Sequence, residues 1–574
     1  MLSQFQMKIV QDLITSSTKE ELIWLNGYLS GLLSQNGNME SAAPAQATTA
    51  PPKNAGKVTI VYGTETGNSK KVATDFAMKA KKSSINAKVV SLDQYRLTDL
   101  PKEEYLLAVI STQGEGEPPS SAKKFYDHIH QNGFRLEKLK FGVLALGDTS
   151  YPLFCKAGED VDTQLERLGG NRFVPIQKCD VDYESDAEGW FSQVLNKLTS
   201  NGSPAAAPAM VSTGTLVPRK SKGKKIYNGT ILTNICLNDR GSNKETHHIE
   251  ITAEDVEYLP GDSLGVIPEN SPKLVEQIVD VLGIDPGQTH TFRQEELTAF
   301  DLLKNKLNIF YLPERVVSKY SALVGQEIPS TKIGLLDLLR IYPLSNKEQF
   351  SELISILEPI SPRLYSISSS PEAHSGEVHI TVCRDKFHVN EEWKVGLCSD
   401  FLSLLPVDSN VEFYIHKNSQ FRLPEDERDV IMIGPGTGIA PFRSFLAHRE
   451  SLGASGRNWL FFGDQHFVSD FLYQTDLQNW LQTGVLSQLS VAFSRDQQEK
   501  LYVQHKMLKH GAELYNWLKS GASLYVCGAK EPMSVDVEDT LMQIVQKHGE
   551  KTIEESVQFI EQLRDESRYL KDVY

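Results

Sequence analysis

Two stretches of this chain repeat one pattern: an apolar run ends in a loop of glycines and hydroxyls, and the chain then restarts as a helix. Such alternation demands a parallel sheet covered by helices, because parallel strands need a crossover to return to the same edge. The first stretch runs from Lys57 to about Leu198. Val58-Thr59-Ile60-Val61-Tyr62-Gly63 reads as a buried strand, and Thr64-Glu65-Thr66-Gly67-Asn68-Ser69 as the loop before a helix starting near Lys70. The N–H and O–H donors at such a junction suit a phosphate. The loop lacks both the Gly-Lys-Ser/Thr ending of a Walker loop and the spacing Gly-x-Gly-x-x-Gly, which excludes an NTPase or a dinucleotide site here. Two further strands end in Ser111-Thr112-Gln113-Gly114 and in Leu146-Gly147-Asp148-Thr149-Ser150-Tyr151-Pro152-Leu153-Phe154-Cys155. Loops at the carboxyl ends of parallel strands are where such sheets bind ligands.

A length of 574 residues asks for three or four domains, each with its own core. Low-complexity tethers at 37–56 and 200–224 set the boundaries. They leave a segment at 1–36, a domain at 57–199, a second at 225–425 with a helical insert at about 270–360, and a third at 426–574. In the first segment Leu22, Leu25, Leu29 and Leu32 follow the capping pattern Thr18-Lys19-Glu20-Glu21. This amphipathic helix either self-associates, docks a partner or packs on a downstream domain. The basic end of the second tether, Arg219 to Lys225, has no interleaved aromatics and reads as a solvated linker. A net charge of −15 argues against a general nucleic-acid binder. The six cysteines are scattered without Cys-x-x-Cys, so no metal cluster is expected and a reducing compartment is. With no leader pattern and no apolar run long enough to span a bilayer, the protein is expected in the cytoplasm. Asp180, Asp182, Glu184, Asp186 and Glu188 form either a docking patch or, more simply, a solvated face.

The second domain reads as an antiparallel barrel, beginning with strands such as Tyr227-Asn228-Gly229-Thr230-Ile231-Leu232 and Thr246-His247-His248-Ile249-Glu250-Ile251. His247 and His248 point to opposite faces, so no shared metal is expected. Helical patterns at Lys273 to Leu282 and Glu348 to Leu357 interrupt it before Arg363-Leu364-Tyr365-Ser366. Arg363 and Tyr365 share one side of that strand, where a cation can pair with a pyrophosphate and a ring can stack on a flavin. Ser366 is placed to hydrogen-bond the flavin's reactive nitrogen. The next strand supplies Thr381, Val382 and Cys383, and the turn Gly396-Leu397-Cys398-Ser399 enters a helix with backbone donors for the FAD pyrophosphate.

From about Asp429 the second doubly wound pattern begins. Val430-Ile431-Met432-Ile433 runs into Gly434-Pro435-Gly436-Thr437-Gly438, a loop that lets backbone approach a pyridine nucleotide. Two later strand ends, Ser494-Arg495 and Lys500-Leu501-Tyr502-Val503-Gln504, bring hydroxyls and cations suited to the 2′-phosphate of NADP rather than the bare ribose of NAD. A further strand, Leu524-Tyr525-Val526-Cys527-Gly528, ends at a cysteine, and the chain closes on Asp572-Val573-Tyr574.

Taken in order, these motifs resemble the NADPH-dependent diflavin reductases over essentially the whole chain. The resemblance implies an α/β multidomain fold: a flavodoxin-like FMN domain, an FAD-binding antiparallel β-barrel with a helical connecting insert, and a doubly wound NADP-binding domain. It implies that Thr64 to Ser69 hold the FMN phosphate and that Tyr151 stacks on the ring, with Gln113 where some relatives carry a second aromatic and Phe387 where close relatives carry tyrosine. It places Cys527 beside the nicotinamide, Asp536 near the adenosine, Tyr574 over the FAD ring, and Ser366, Cys527 and Asp572 around the hydride step. Within the family the chain is most similar to the flavoproteins of assimilatory sulfite reduction. That similarity implies relay from NADPH to FAD to FMN, then to a hemoprotein subunit carrying sirohaem and an iron–sulfur cluster, which reduces sulfite to sulfide for cysteine biosynthesis, with self-association through the N-terminal segment. Other readings are a diflavin reductase serving a cytochrome or a cobalamin enzyme, and a non-enzymatic flavin-binding scaffold.

Overall fold

In the first sheet the apolar runs bury both faces, and odd and even positions feed different cores. Val58 and Ile60 pack with Leu107, Val109 and Leu144 on one side, whereas Val61 packs with Leu106, Ala108, Ile110 and Val143 on the other. The computed structural model describes residues 57–574 apart from 66, 84, 115, 132, 150, 152, 182, 201–224, 293–294, 330–332 and 390–391. The amphipathic N-terminal segment and both tethers therefore lie outside the described residues, save Ser200. The strands run in the order Ala87–Ser91, Val58–Gly63, Tyr105–Ser111, Lys140–Leu146, Asn171–Arg172, and Gln177–Cys179 also pairs with Lys140–Leu146. Every pairing in this sheet is parallel.

The second sheet is antiparallel, in the order Arg363–Ser366, Ser263–Val266, Asn410–His416, Ile226–Cys236, Thr246–Thr252, Val378–Cys383. A bridge between Ile367 and Ile380 joins its first strand to its last and closes the barrel. Gly261 makes the tight entry to this sheet: its φ is +95°, and a Cβ there would stand 1.9 Å from the Phe421 carbonyl oxygen. The insert holds the helices Pro272–Leu282, Ala299–Asn305, Glu314–Val324, Leu335–Ile341 and Phe350–Ile356. These helices close on a core of their own around Ile278, Leu302, Val316, Leu338 and Leu353.

The third sheet is parallel again, in the order Gln488–Phe493, Asn458–Asp464, Val430–Ile433, Ser523–Gly528, Tyr569–Val573. Alternation again splits it, with Ile431, Trp459 and Val526 on one face and Met432, Leu460 and Cys527 on the other. The last strand thus lies at the edge of the sheet and brings Asp572 alongside Cys527. No helix among the described residues is long and apolar enough to cross a membrane.

Candidate functional site

A cavity of about 640 Å³ opens where the barrel, the insert and the third sheet meet, and its wall includes Arg363, Tyr365, Ser366, Thr381, Cys383, Phe387, the run Gly396 to Ser399, Thr437 and Tyr574. The short strand Arg363–Ser366 supplies the first three, held in register by Ser263–Val266. Gly396 caps the helix Leu397–Ser403, so the N–H groups of its first turn face the cavity mouth. Burial pushes the Tyr365 hydroxyl well up, as it does the Cys398 thiol, to about 12, and the two side chains hydrogen-bond each other. An arginine and helix-start donors at one end and aromatic rings along the walls match a pyrophosphate joined to flat rings, the chemistry of FAD.

At the inner end Ser366 Oγ donates to Asp572 Oδ2 over 2.7 Å, and Cys527 Sγ stands 3.9 Å from the same oxygen. Burial raises the Asp572 carboxyl, opposed by the bonds from Ser366 and Cys527, and burial raises the Cys527 thiol far above its ordinary value. In both groups burial makes the charged form the costlier one. Tyr574 stays exposed while its hydroxyl pairs with Thr437 Oγ1 at 2.7 Å, and its backbone is pinned by Tyr574 N–H to Gly528 O and Lys530 N–H to Tyr574 O. The terminal ring is therefore tethered to the glycine loop of the third sheet. That loop lies tight on the neighbouring strand end, where a Cβ at Gly438 would meet the Cys527 carbonyl oxygen at 2.2 Å.

The flavodoxin-type loops form a second site. Gly67, at φ +93°, turns the loop so that its N–H donates to Thr64 Oγ1 at 2.9 Å. Ser69 Oγ is buried with no hydrogen-bond partner, an orphan that a phosphate oxygen would satisfy. Thr66, Ser150 and Pro152 lie outside the described residues. Burial raises the Tyr151 hydroxyl, and the positive charge of Arg363 opposes that shift, so this loop lies close to the FAD cavity. Asp148 Oδ2 also comes within 3.8 Å of His416 Nδ1 on the barrel. The third site runs along the parallel sheet. Ser494 and Arg495 N–H groups donate to the carbonyls of Asp464 and Gln465, both at 2.9 Å, and Gln504 Nε2 donates to Asp536 at 3.2 Å.

Several expectations are corrected. Lys500 to Gln504 is not a strand end: the Tyr502 N–H donates to His505 Nδ1, and residues 503 onward form the helix Val503–Lys509. The side chains of Val503, Leu146 and Val382 point into cores, as strand alternation and helix packing demand, which leaves only their main chain to meet a ligand. The Cys155 thiol likewise turns inward, bonding the carbonyls of Ala145 and Cys179. Glu65 gives its carboxylate to Lys530 and to the Ser120 N–H, so its charge is already engaged within the protein. Asp180 is tied to Thr149 and Glu188 to Lys79, both at the surface. His248, Glu250 and His379 have ligand atoms within 4.8 Å of one another. The Arg443 guanidinium, 3.3 Å from His379 Nδ1, occupies that space, and burial holds His379 down to about 2. Phe310 and Tyr311 of the insert also line the cavity. Their adjacent aromatic pair just after Leu307-Asn308-Ile309 was the available signal.

This fold and these sites define an oxidoreductase with separate places for FMN, FAD and a nicotinamide nucleotide. The flavodoxin family matches residues 60–190, the FAD-binding domain family residues 219–320 and 329–401, and the oxidoreductase NAD-binding domain family residues 432–539. The chain is similar over its full length to the "Sulfite reductase [NADPH] flavoprotein alpha-component" of Bacillus subtilis, 40% identical across 98% of that protein. The same is true of the like-named proteins of Vibrio parahaemolyticus, 37% identical over 95% of its length, and Escherichia coli O157:H7, 36% over 98%. The chain belongs to the family of NADPH sulfite reductase flavoprotein alpha-components.

Proposed function

We propose that this chain passes reducing equivalents from NADPH through the barrel site to the flavodoxin-type site, and from there to a hemoprotein subunit carrying sirohaem and an iron–sulfur cluster. That partner reduces sulfite to sulfide in the cytoplasm, as a step of cysteine biosynthesis. The observation that carries this reading is that Arg363 links the sites: it shares one cavity wall with Thr437 of the nucleotide loop and with Tyr574, and its charge acts on Tyr151 of the flavodoxin-type loop. The two flavins, when bound, would supply the conversion of a two-electron hydride donation into single-electron deliveries. Arg363 and the N–H groups at Leu397–Ser399 bind the FAD pyrophosphate, and Tyr365 orients its ring. Asp572, held by Ser366, supplies a carboxylate whose charge favours the cationic nicotinamide as it forms, and Cys527 excludes water behind it. Tyr574 shields the same face until the nucleotide enters. The N-terminal segment is assigned to self-association.

The test is NADPH-driven sulfide production by the purified chain, with and without a sirohaem hemoprotein from the same source, alongside extraction of the bound flavins. Sulfide only with both proteins, and FAD and FMN in equal amounts, is the expected result. Dye or cytochrome reduction with no sulfide would leave the relay and replace the acceptor. An absence of NADPH-dependent flavin bleaching would reject the relay.

A further inference from the structure

The strand Asn458–Asp464 ends beside the nucleotide loop, and the residues at that end carry acceptors that nothing in the fold satisfies. The Asp464 side chain is 1% exposed. Its Oδ1 accepts from Lys244 Nζ of the barrel at 2.5 Å and from the Gln465 N–H at 2.6 Å. Its Oδ2 is buried without a partner, and so is Oε1 of the adjoining Gln465. A Cβ on Gly436 would stand 4.0 Å from Asp464 Oδ2, so the orphan oxygen faces the loop. Burial raises the Asp464 carboxyl and Lys244 opposes the rise. The charges of Lys244 and Asp464 also act on Cys383, which is part of the flavin cavity wall.

Buried acceptors without donors call for a ligand that brings O–H groups. A carboxylate repels phosphate, so the ligand atom is a hydroxyl. Adjacent orphans on consecutive residues fit adjacent hydroxyls, and NADPH has only one vicinal diol, because its adenosine ribose is phosphorylated at the 2′ position. We propose that Asp464 Oδ2 and Gln465 Oε1 accept hydrogen bonds from the hydroxyls of the ribose on the nicotinamide side of NADPH. Lys244 neutralises the carboxylate so that the neighbouring pyrophosphate is not repelled, which makes a barrel residue part of the nucleotide site. This deepens the reading of the third sheet as the NADPH site and rests on it.

The test is calorimetric titration of the flavin-loaded full chain with NADP+ and with 2′,5′-ADP, which has only the adenosine half. In Asp464→Asn the amide oxygen still serves Lys244 and Gln465, but a donor replaces the orphan acceptor. NADP+ is expected to bind about tenfold weaker, while 2′,5′-ADP changes less than twofold. Gln465→Leu should act in the same direction. On the unsubstituted chain, an NADP+ analogue lacking the hydroxyls of its nicotinamide-side ribose should bind about tenfold weaker than NADP+, a comparison that needs no variant to fold. Unchanged NADP+ binding in Asp464→Asn, equal weakening of both ligands, or equal binding of NADP+ and the analogue overturns the proposal. Failure of both NADP+ and 2′,5′-ADP to bind the unsubstituted chain overturns the underlying nucleotide reading as well.

Discussion

Ser366 Oγ donates to Asp572 Oδ2 at 2.7 Å across 206 positions of sequence, joining the barrel strand that carries Arg363 to the strand that ends the chain. Because burial raises the Asp572 carboxyl, its ionised form is the one lost as pH falls. The rate of NADPH-driven flavin bleaching in stopped flow should therefore decline on acidification. Asp572→Asn should slow bleaching by about 10- to 100-fold and abolish that limb of the profile. A buried carboxyl with a raised pKa lowers folding stability progressively as pH climbs from its unfolded value past its folded one. The Asn variant is thus expected to melt no lower than the unsubstituted chain at pH 8. A lower melting point would assign the rate loss to unfolding.

Tyr574 is bonded to Thr437; on the proposed relay it must leave that partner for a nicotinamide to stack, so its removal spares the nucleotide that displacement. Tyr574→Ala should bind NADP+ about fivefold tighter, since one hydroxyl bond and its ring contact are worth roughly 1 kcal/mol net. Turnover should fall as release of NADP+ slows. Product-inhibition constants for NADP+ measure this directly, and an unchanged constant would remove Tyr574 from the nicotinamide path.

The parity of Val58, Ile60 and Val61, and of Ile431 and Met432, was legible because a two-sided buried sheet writes itself as continuous apolar sequence. Arg363, Gly396 and Thr437 were legible for a related reason: local chain geometry, a strand or a helix start, decides where they point. Lys500 to Gln504 misled because Leu-Tyr-Val has strand propensity, whereas the His505 ring caps a helix there. Lys244 and Asp464 were out of reach of any local pattern, since 220 residues separate them and only the docking of barrel against sheet brings them together.

The flavodoxin-type domain is held to the third domain by exposed ion pairs, Lys530 with Glu65 and Lys70 with Asp565 at 3.0 Å. Such pairs are worth at most about 1 kcal/mol each and are screened by salt. Glu65→Gln together with Lys70→Ala should slow transfer between the flavins by about fivefold, and raising the ionic strength of the unsubstituted chain should imitate it. The initial bleaching by NADPH should not change, because the Asp572 site is untouched. Double-mixing stopped flow separates the two phases. Loss of the first phase instead would mean that these pairs support the barrel site.

The last prediction concerns Gly261, where the barrel and the third domain meet. Its backbone is left-handed, and a Cβ would overlap the Phe421 carbonyl oxygen at 1.9 Å, a clash with main chain that no side-chain rotation relieves. The next residue, Asp262, is buried and accepts from the N–H groups of Leu259 at 2.9 Å and Asn418 at 2.8 Å, and from Arg422, so the loop has little room to shift. Gly261→Ala therefore combines left-handed strain with overpacking, together about 3 kcal/mol or more. The cores around Val58 and Val61 contain no residue of this region. The expected outcome is selective: the variant loses FAD on purification while retaining FMN, read as the FAD to FMN ratio of extracted flavin. Full retention of both flavins with an unchanged unfolding midpoint would show that the loop at Phe421 yields, and that Gly261 is not what fixes the entry to the barrel.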